Sequence, residues 1–358
     1  MLVEQKRNIG NNQIITCGSE KKVIGIKKTR QLVFLLLFGL LGTFTLWIIS
    51  TFNFLSYYFY LIGCCFFILT ALNLILSYIT EPGIIPRNHP DYIKKDNEEN
   101  EIQITDSSEK NIIPSIFTRR VCSTCGIIRP PKASHCSTCD NCVQNFDHHC
   151  IYISNCVGER NHRFFFLMLY FGLLYTLFIF GMSLFHFLSM LLDKNFSEKS
   201  IVVNLATNQP VLFYISFLLI IFSVIPFFVN FGYITIGLFG IGYAMFLYIF
   251  YSNKPYGTPF YYNMFSVPNI IISICFSQFI LVNFCKALRI VLIGFTTKQQ
   301  ISIHKEYMNQ LSQNKNPELT IQNEYIRKRT CKEKVNNLFK FLFTFNHTKS
   351  LIESKRDL

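Results

Sequence analysis

Over nearly half of its length this chain lacks charge. No Asp, Glu, Lys or Arg lies between Arg30 and Glu81, between Arg163 and Asp193, between Lys199 and Lys254, or from Pro255 to Cys285. Charged residues make up 15% of the 358, against 50% hydrophobic and 16% aromatic, which excludes an ordinary soluble domain. A spanning helix needs about 20 consecutive apolar residues, because the hydrocarbon core is ~30 Å thick and each residue rises ~1.5 Å. The uncharged stretches meet that length, so the chain reads as an all-α polytopic membrane protein. No cleavable signal peptide is evident, and none is expected. The first apolar stretch follows thirty mostly polar and basic residues, so the first span is expected to insert as a signal anchor.

The first stretch divides at Thr51, Asn53 and Ser56 into spans over Leu32–Ile49 and Tyr57–Tyr78, and Phe164–Leu191 makes a third. The stretch after Asn208 is too long for one helix and is expected to form two, turning between Pro226 and Gly232. The last runs from Pro268 to about Cys285, with Lys286 and Arg289 snorkelling to the headgroups. The count is six, with five the rival if the Pro226 region does not turn. Lys21, Lys22, Lys27, Lys28 and Arg30 precede the first span, whereas the first turnaround carries no charge. Cytoplasmic loops collect Lys and Arg, which puts the N-terminus in the cytosol. The tail beyond Thr297 is basic too, and two cytosolic ends require an even number of spans. The formal charge of +13 is then explained by juxtamembrane segments facing anionic lipid, not by nucleic acid.

The expected layout is a cytosolic basic segment 1–30, transmembrane helices one and two over 31–80, a linker 81–118, a zinc-stabilised cysteine-rich domain 119–163, helices three to six over 164–295, and a basic cytosolic tail 296–358. Residues 1–30, about 88–112 and 303–330 are polar and poor in aromatics, and are expected to be mobile. Asn195-Phe196-Ser197 is a glycosylation candidate on the non-cytosolic side; Asn346-His347-Thr348 matches as well but falls in the cytosol. Asn73 is expected to hydrogen-bond between helices, His162 to be a solvated loop residue, and His186 a polar group near a helix end.

Chemistry concentrates between Cys122 and Cys156, where seven cysteines and three histidines crowd together. In a reducing cytosol such thiols bind metal or react, and do not pair. Cys122-x2-Cys125 and Cys136-x2-Cys139 are chelating knuckles. His135, Cys142, His149 and Cys156 can complete two interleaved Cys3His sites for tetrahedral zinc. Cys150 and His148 are then left over, beside Asp147. A free thiol has a pKa near ~8.5. A neighbouring imidazole can take its proton, and a carboxylate can fix the imidazole's tautomer. Asp147, His148 and Cys150 supply these roles in order, next to a span that begins after Arg163.

The run from Cys122 through Arg129-Pro130, His135, Cys142, Asp147-His148-His149-Cys150 and Asn155-Cys156-Val157-Gly158 to Asn161 and Phe165 resembles the cysteine-rich domain of the DHHC family of protein S-acyltransferases. Glu81-Pro82-Gly83 and Thr296-Thr297-Lys298-Gln299 are similar to its Asp-Pro-Gly and Thr-Thr-x-Glu motifs. The resemblance implies that Cys150 takes a long-chain acyl group, such as palmitoyl, from acyl-CoA and passes it to a cysteine of a membrane-associated protein. It further implies His148 as base, oriented by Asp147. Cys122, Cys125, His135 and Cys142 would hold one zinc, and Cys136, Cys139, His149 and Cys156 the other. Thr297 would contact Asp147, with Asn155 and Asn161 in support. Arg119, Arg120, Arg129, Lys132, Arg160 and Arg163 flank the cluster as candidate partners of the CoA phosphates. Three departures stand out: Ile151-Tyr152 where the family has Pro-Trp, Gln299 for Glu, and six spans where four are commoner. The rival reading is a catalytically silent membrane scaffold with a structural zinc module. A zinc transporter fits poorly, since its ligands would sit within the spans.

Overall fold

The computed structural model describes residues 7–17, 20–24, 30–51, 54–87, 92, 101–102, 119–192, 266–312 and 330–343. Four helices among the described residues are long and apolar enough to cross a membrane: α1 (Arg30–Thr51), α2 (Tyr57–Ile79), α3 (His162–Leu192) and α4 (Ser266–Ile293). α1 stops at the polar break at Thr51, and α2 stops short of Pro82, which disfavours helical backbone in the residue before it. The two further spans expected within 193–265, their turn, and both sequons lie outside the described residues. α4 continues eight residues past Cys285, because Ala287, Ile290 and Val291 recur at helical spacing and are buried. It ends at Gly294, whose φ of 81° suits a helix-terminating glycine; its N–H donates to the Ile290 carbonyl (2.8 Å).

The chain divides into two compact units. One comprises Gly39–Ile68 and Phe171–Val282. Its described centre is Trp47, fully buried among Phe44, Tyr60 and Phe178, with ring centroids 5.3–5.9 Å away. Gly63 makes this possible, since a Cβ there would lie 2.7 Å from the indole. The Tyr175 hydroxyl meets Thr43 Oγ1 at 2.9 Å, and His186 meets the Ser266 hydroxyl at 2.8 Å.

The other unit comprises Met1–Phe38, Leu69–Tyr170 and Asn283–Leu358. Its first feature corrects an expectation. Much of the basic N-terminal segment is an antiparallel meander of β1 (Arg7–Ile9), β2 (Asn12–Cys17) and β3 (Glu20–Ile24). Ile9 pairs with Asn12, so the two-residue link Gly10-Asn11 joins β1 to β2, and Cys17 pairs with Glu20. Gly10-Asn11 is a hairpin signal. Gly10 packs onto the Cys139 carbonyl so closely that a Cβ would lie 2.5 Å away, and Asn11 donates to the carbonyls of Cys139 and Thr138, each at 2.9 Å.

The cysteine-rich region is three successive hairpins: β6 (Arg119–Cys122) with β7 (Ile127–Arg129), β8 (Ser134–Cys136) with β9 (Asn141–Val143), and β10 (His148–Cys150) with β11 (Asn155–Val157). The register repeats at a fourteen-residue step: Cys122 faces Ile127, Cys136 faces Asn141, and Cys150 faces Asn155. After each turn a residue is left-handed, Gly126 (φ 66°), Asp140 (53°) and Ser154 (50°). Two short strands extend these hairpins, β4 (Ile84–Ile85) beside β9 and β5 (Glu101–Ile102) beside β6.

Two tail helices complete the unit, and the first gives order to residues 303–312, expected to be mobile. α5 (Thr297–Ser312) opens on a capping box: the Thr296 N–H donates to Gln299 Oε1 (3.1 Å), and the Gln299 N–H to Thr296 Oγ1 (3.3 Å). α6 (Cys331–Phe343) repeats the device with Thr330 and Glu333. Phe341 of α6 lies edge-on to His162 and Phe166, and Asn337 donates to the Leu292 carbonyl (3.0 Å).

Candidate active site and metal centres

Each group of metal-type donors draws two sulfurs from the tip of one hairpin and a histidine and a sulfur from facing rungs of the next. Cys122 and Cys125 join His135 and Cys142; Cys136 and Cys139 join His149 and Cys156. Within each group the ligand atoms all lie within 4.8 Å of one another. A tetrahedral zinc with Zn–S near 2.3 Å sets its sulfurs about 3.8 Å apart. The spacings here are of that size: 3.4 and 3.9 Å from His135 Nδ1 to the Cys125 and Cys142 sulfurs, 3.4 and 3.7 Å from His149 Nδ1 to those of Cys139 and Cys156, and 3.3 Å between the Cys139 and Cys156 sulfurs.

Electrostatics agree with the donor chemistry. Contact with Cys136 pushes the Cys139 thiol up to about 12, and the same neighbours push Cys156 well above the usual thiol value. Burial, with the charges of Cys125 and Cys122, raises Cys142. The hydrogen bond with Cys139, followed by that with Cys156, instead holds Cys136 far down. Several thiolates cannot share so small a space without a cation, and a dication at each group fits this set of soft sulfur and imidazole donors.

Asp147, His148 and Cys150 occupy one edge of the third hairpin, outside both groups. Asp147 is buried; its Oδ2 lies 2.8 Å from His148 Nδ1, and its Oδ1 accepts the Thr297 N–H at 2.6 Å. It is thus the backbone of Thr297, and not its hydroxyl, that meets the carboxylate. Thr296 assists from the other side, donating its hydroxyl to the Phe146 carbonyl (3.0 Å), and Gln299 Nε2 donates to Asn145 Oδ1 (3.0 Å). Burial alone would raise the Asp147 pKa, but the hydrogen bond and charge of His148 outweigh it and hold the carboxyl below its ordinary value. Burial would likewise lower His148, yet hydrogen bonds to Asp147 and Cys150 and their charges push it up to about 10. The imidazole is thereby favoured in its protonated form. Cys150 is buried, while Ile151 beside it is exposed.

Two asparagines moor this hairpin to the end of α2. Asn155 Nδ2 donates to the carbonyls of Tyr78 and Thr80, each at 3.2 Å. Asn161 Nδ2 donates to those of Ser77 (3.3 Å) and Cys156 (2.8 Å), while its Oδ1 accepts the Gly158 N–H (2.9 Å). Gly158 admits no side chain, since a Cβ would lie 2.3 Å from the Pro82 carbonyl oxygen. Glu81 accepts the N–H groups of Gly83 and Ile84 and pairs with Arg160.

Residues 115–241 match the DHHC palmitoyltransferase family. The matched span takes in both donor groups, the Asp147–His148–Cys150 edge and helix α3. No curated protein matches the chain. This stretch is thus similar to a DHHC palmitoyltransferase region, and the four apolar helices and two metal-type clusters fit an integral membrane protein.

Several side chains stand elsewhere than expected. Arg160 is held by Glu81, and Arg163 donates to the Leu342 carbonyl, so both serve internal contacts. Arg119 and Arg120 lie on β6, Arg129 is half-buried on β7, and Lys132 is exposed in the turn that follows. His162 is buried at the start of α3 against Phe341, not solvated in a loop. Asn73 donates to the Leu69 carbonyl within its own helix (2.8 Å), not to a neighbour. The Thr296–Gln299 cap was available to sequence reasoning as a Thr-x-x-Gln pattern. The Glu81–Arg160 pair carried no local signal, being 79 residues apart.

Proposed function

We propose that this chain is a protein S-acyltransferase with six spans and cytosolic termini, moving a long-chain acyl group such as palmitoyl from acyl-CoA to cysteines of membrane-associated proteins. The observation that carries the reading is that Cys150 alone, of the seven sulfurs in the run, lies outside both donor groups and beside an imidazole. The Cys150 thiolate attacks the thioester carbonyl carbon, forming a tetrahedral intermediate that expels the CoA thiolate; the His148 imidazolium gives that leaving group its proton. The incoming protein thiol then loses its proton to His148 and attacks the acyl carbon. Cys150 leaves as thiolate, and the proton on His148 restores the starting state. Asp147 holds the imidazole tautomer throughout. Two zinc ions, held by the Cys3His groups, would fix the hairpins and take no part in these steps. Arg119, Arg120, Arg129 and Lys132 are the cations we assign to the CoA phosphates, with Arg160 and Arg163 withdrawn from that role. The host membrane is a eukaryotic endomembrane or the plasma membrane.

The test is incubation of the purified chain with an alkyne-bearing fatty acyl-CoA. The native protein should acquire a hydroxylamine-sensitive label, and Cys150→Ser should lose it while keeping two metal ions. An unlabelled native chain, with partner binding intact in Cys150→Ser, would instead favour a scaffold.

A further inference from the structure

The three hairpins share one backbone plan, and the third departs from it at a single informative side chain. At the first tip the chain runs Cys122-x2-Cys125-Gly126, at the second Cys136-x2-Cys139-Asp140, and at the third Cys150-x2-Ile153-Ser154. All three tips follow a cysteine paired five residues ahead and end in a left-handed residue. In the first two, the cysteine and its partner three residues on both belong to a donor group. Cys150 therefore stands where a first metal sulfur would stand, and Ile153 where the second would be. Ile153 is fully buried and offers no donor atom.

The rest of a third site is also missing. One fourteen-residue step beyond His149 and Cys156 stand Arg163 and Tyr170, both on α3. A lone thiolate on a tight turn holds a soft cation far less well than a chelating pair. We infer that Ile153 is a positioning residue that keeps Cys150 out of metal coordination, so that a knuckle built to present thiolate presents it to an acyl carbon. The activity part of this inference rests on the proposed transferase reading; the part concerning the knuckle does not.

The test restores the second sulfur. Phenylarsine oxide condenses with two adjacent thiols, forming two As–S bonds and releasing one water with no change of oxidation state. Full-length, zinc-loaded protein in nanodiscs is treated with a slight excess and read by intact mass. Ile153→Cys should gain one phenylarsenic adduct absent from the wild type and from Ile153→Val. The double variant Ile153→Cys/Cys150→Ser should not gain it. With added cadmium, Ile153→Cys should lose autoacylation by about 100-fold or more, because a coordinated sulfur is no longer the free thiolate nucleophile. Ile153→Val and Ile153→Ala should keep two metals and their acylation in the same cadmium, which separates the sulfur from any packing defect. No added adduct in Ile153→Cys, or the same adduct in the double variant, overturns the inference. A wild type that never acylates, with the adduct pattern as described, sinks the transferase reading alone.

Discussion

The second and third hairpins carry matching side chains on matching rungs. His135 faces Cys142 as His149 faces Cys156, and Cys136 faces Asn141 as Cys150 faces Asn155. Their differences separate a metal-type knuckle from the one proposed to be reactive. Ala133 and Ser134 precede the first histidine, whereas Asp147 and His148 precede the second, so the proposed acid–base pair arrives on the third hairpin only. Asn141 turns its amide to its own tip, donating to the Cys139 carbonyl (3.1 Å), while Asn155 reaches out to the end of α2. Cys136 is committed to a donor group and Cys150 is not. One backbone plan therefore places a metal-type donor in one copy and the proposed nucleophile in the next, and the neighbours differ between them.

Removing the equivalent sulfurs should break that comparison most sharply. Cys150→Ser is expected to abolish autoacylation, by about 1,000-fold or more, with both metals retained on elemental analysis. Cys136→Ser should instead release one metal per chain and loosen the hairpin, since metal-binding energy is folding energy in such modules. If both variants kept two metals, the assignment of the groups would be wrong. Next in size, Asp147→Asn should slow acyl transfer by about 100- to 10,000-fold at unchanged metal content, by presenting the wrong imidazole tautomer. A near-normal rate would leave His148 without the proposed orienting partner.

Smaller effects sharpen the contrast in mooring. Asn155→Ala leaves two carbonyls at the end of α2 without this donor and should cost about 1–3 kcal/mol in thermal or denaturant unfolding. Asn141→Ala removes the local contact to the Cys139 carbonyl and should cost less. Reversal of that order would show that the third hairpin is not held from α2. The smallest change is expected for Thr297→Ala, because the contact to Asp147 comes from the main chain. Thr296→Ala removes the helix cap and should cost about 1 kcal/mol, the larger of the two.

Much of this site was legible because metal chemistry imposes spacing: pairs of sulfurs two residues apart, and donors that recur, are visible in a bare string of letters. The four described apolar helices were legible for the same reason, lipid imposing length. The N-terminal meander was hidden by composition. Its Gly10-Asn11 turn was present, but the basic residues around it read as solvated chain. α4 outran its expected end because Lys286 and Arg289 looked like a boundary, whereas Ala287, Ile290 and Val291 keep one face of the helix buried. His162 and Arg160 find their partners on Phe341 and Glu81, far along the chain, and no local pattern announces contacts at that range.

Asn155 and Asn161 tie the third hairpin to the last turn of α2, and only a few residues separate Cys156 from the first turn of α3. Slack on either flank is thereby removed, and on the proposed reading the Cys150 sulfur would be held at one fixed altitude over the lipid. For a transferase of the proposed kind, eligibility then becomes a matter of reach. Acceptor thiols are sorted by how high above the bilayer they ride, and the letters around them count for little.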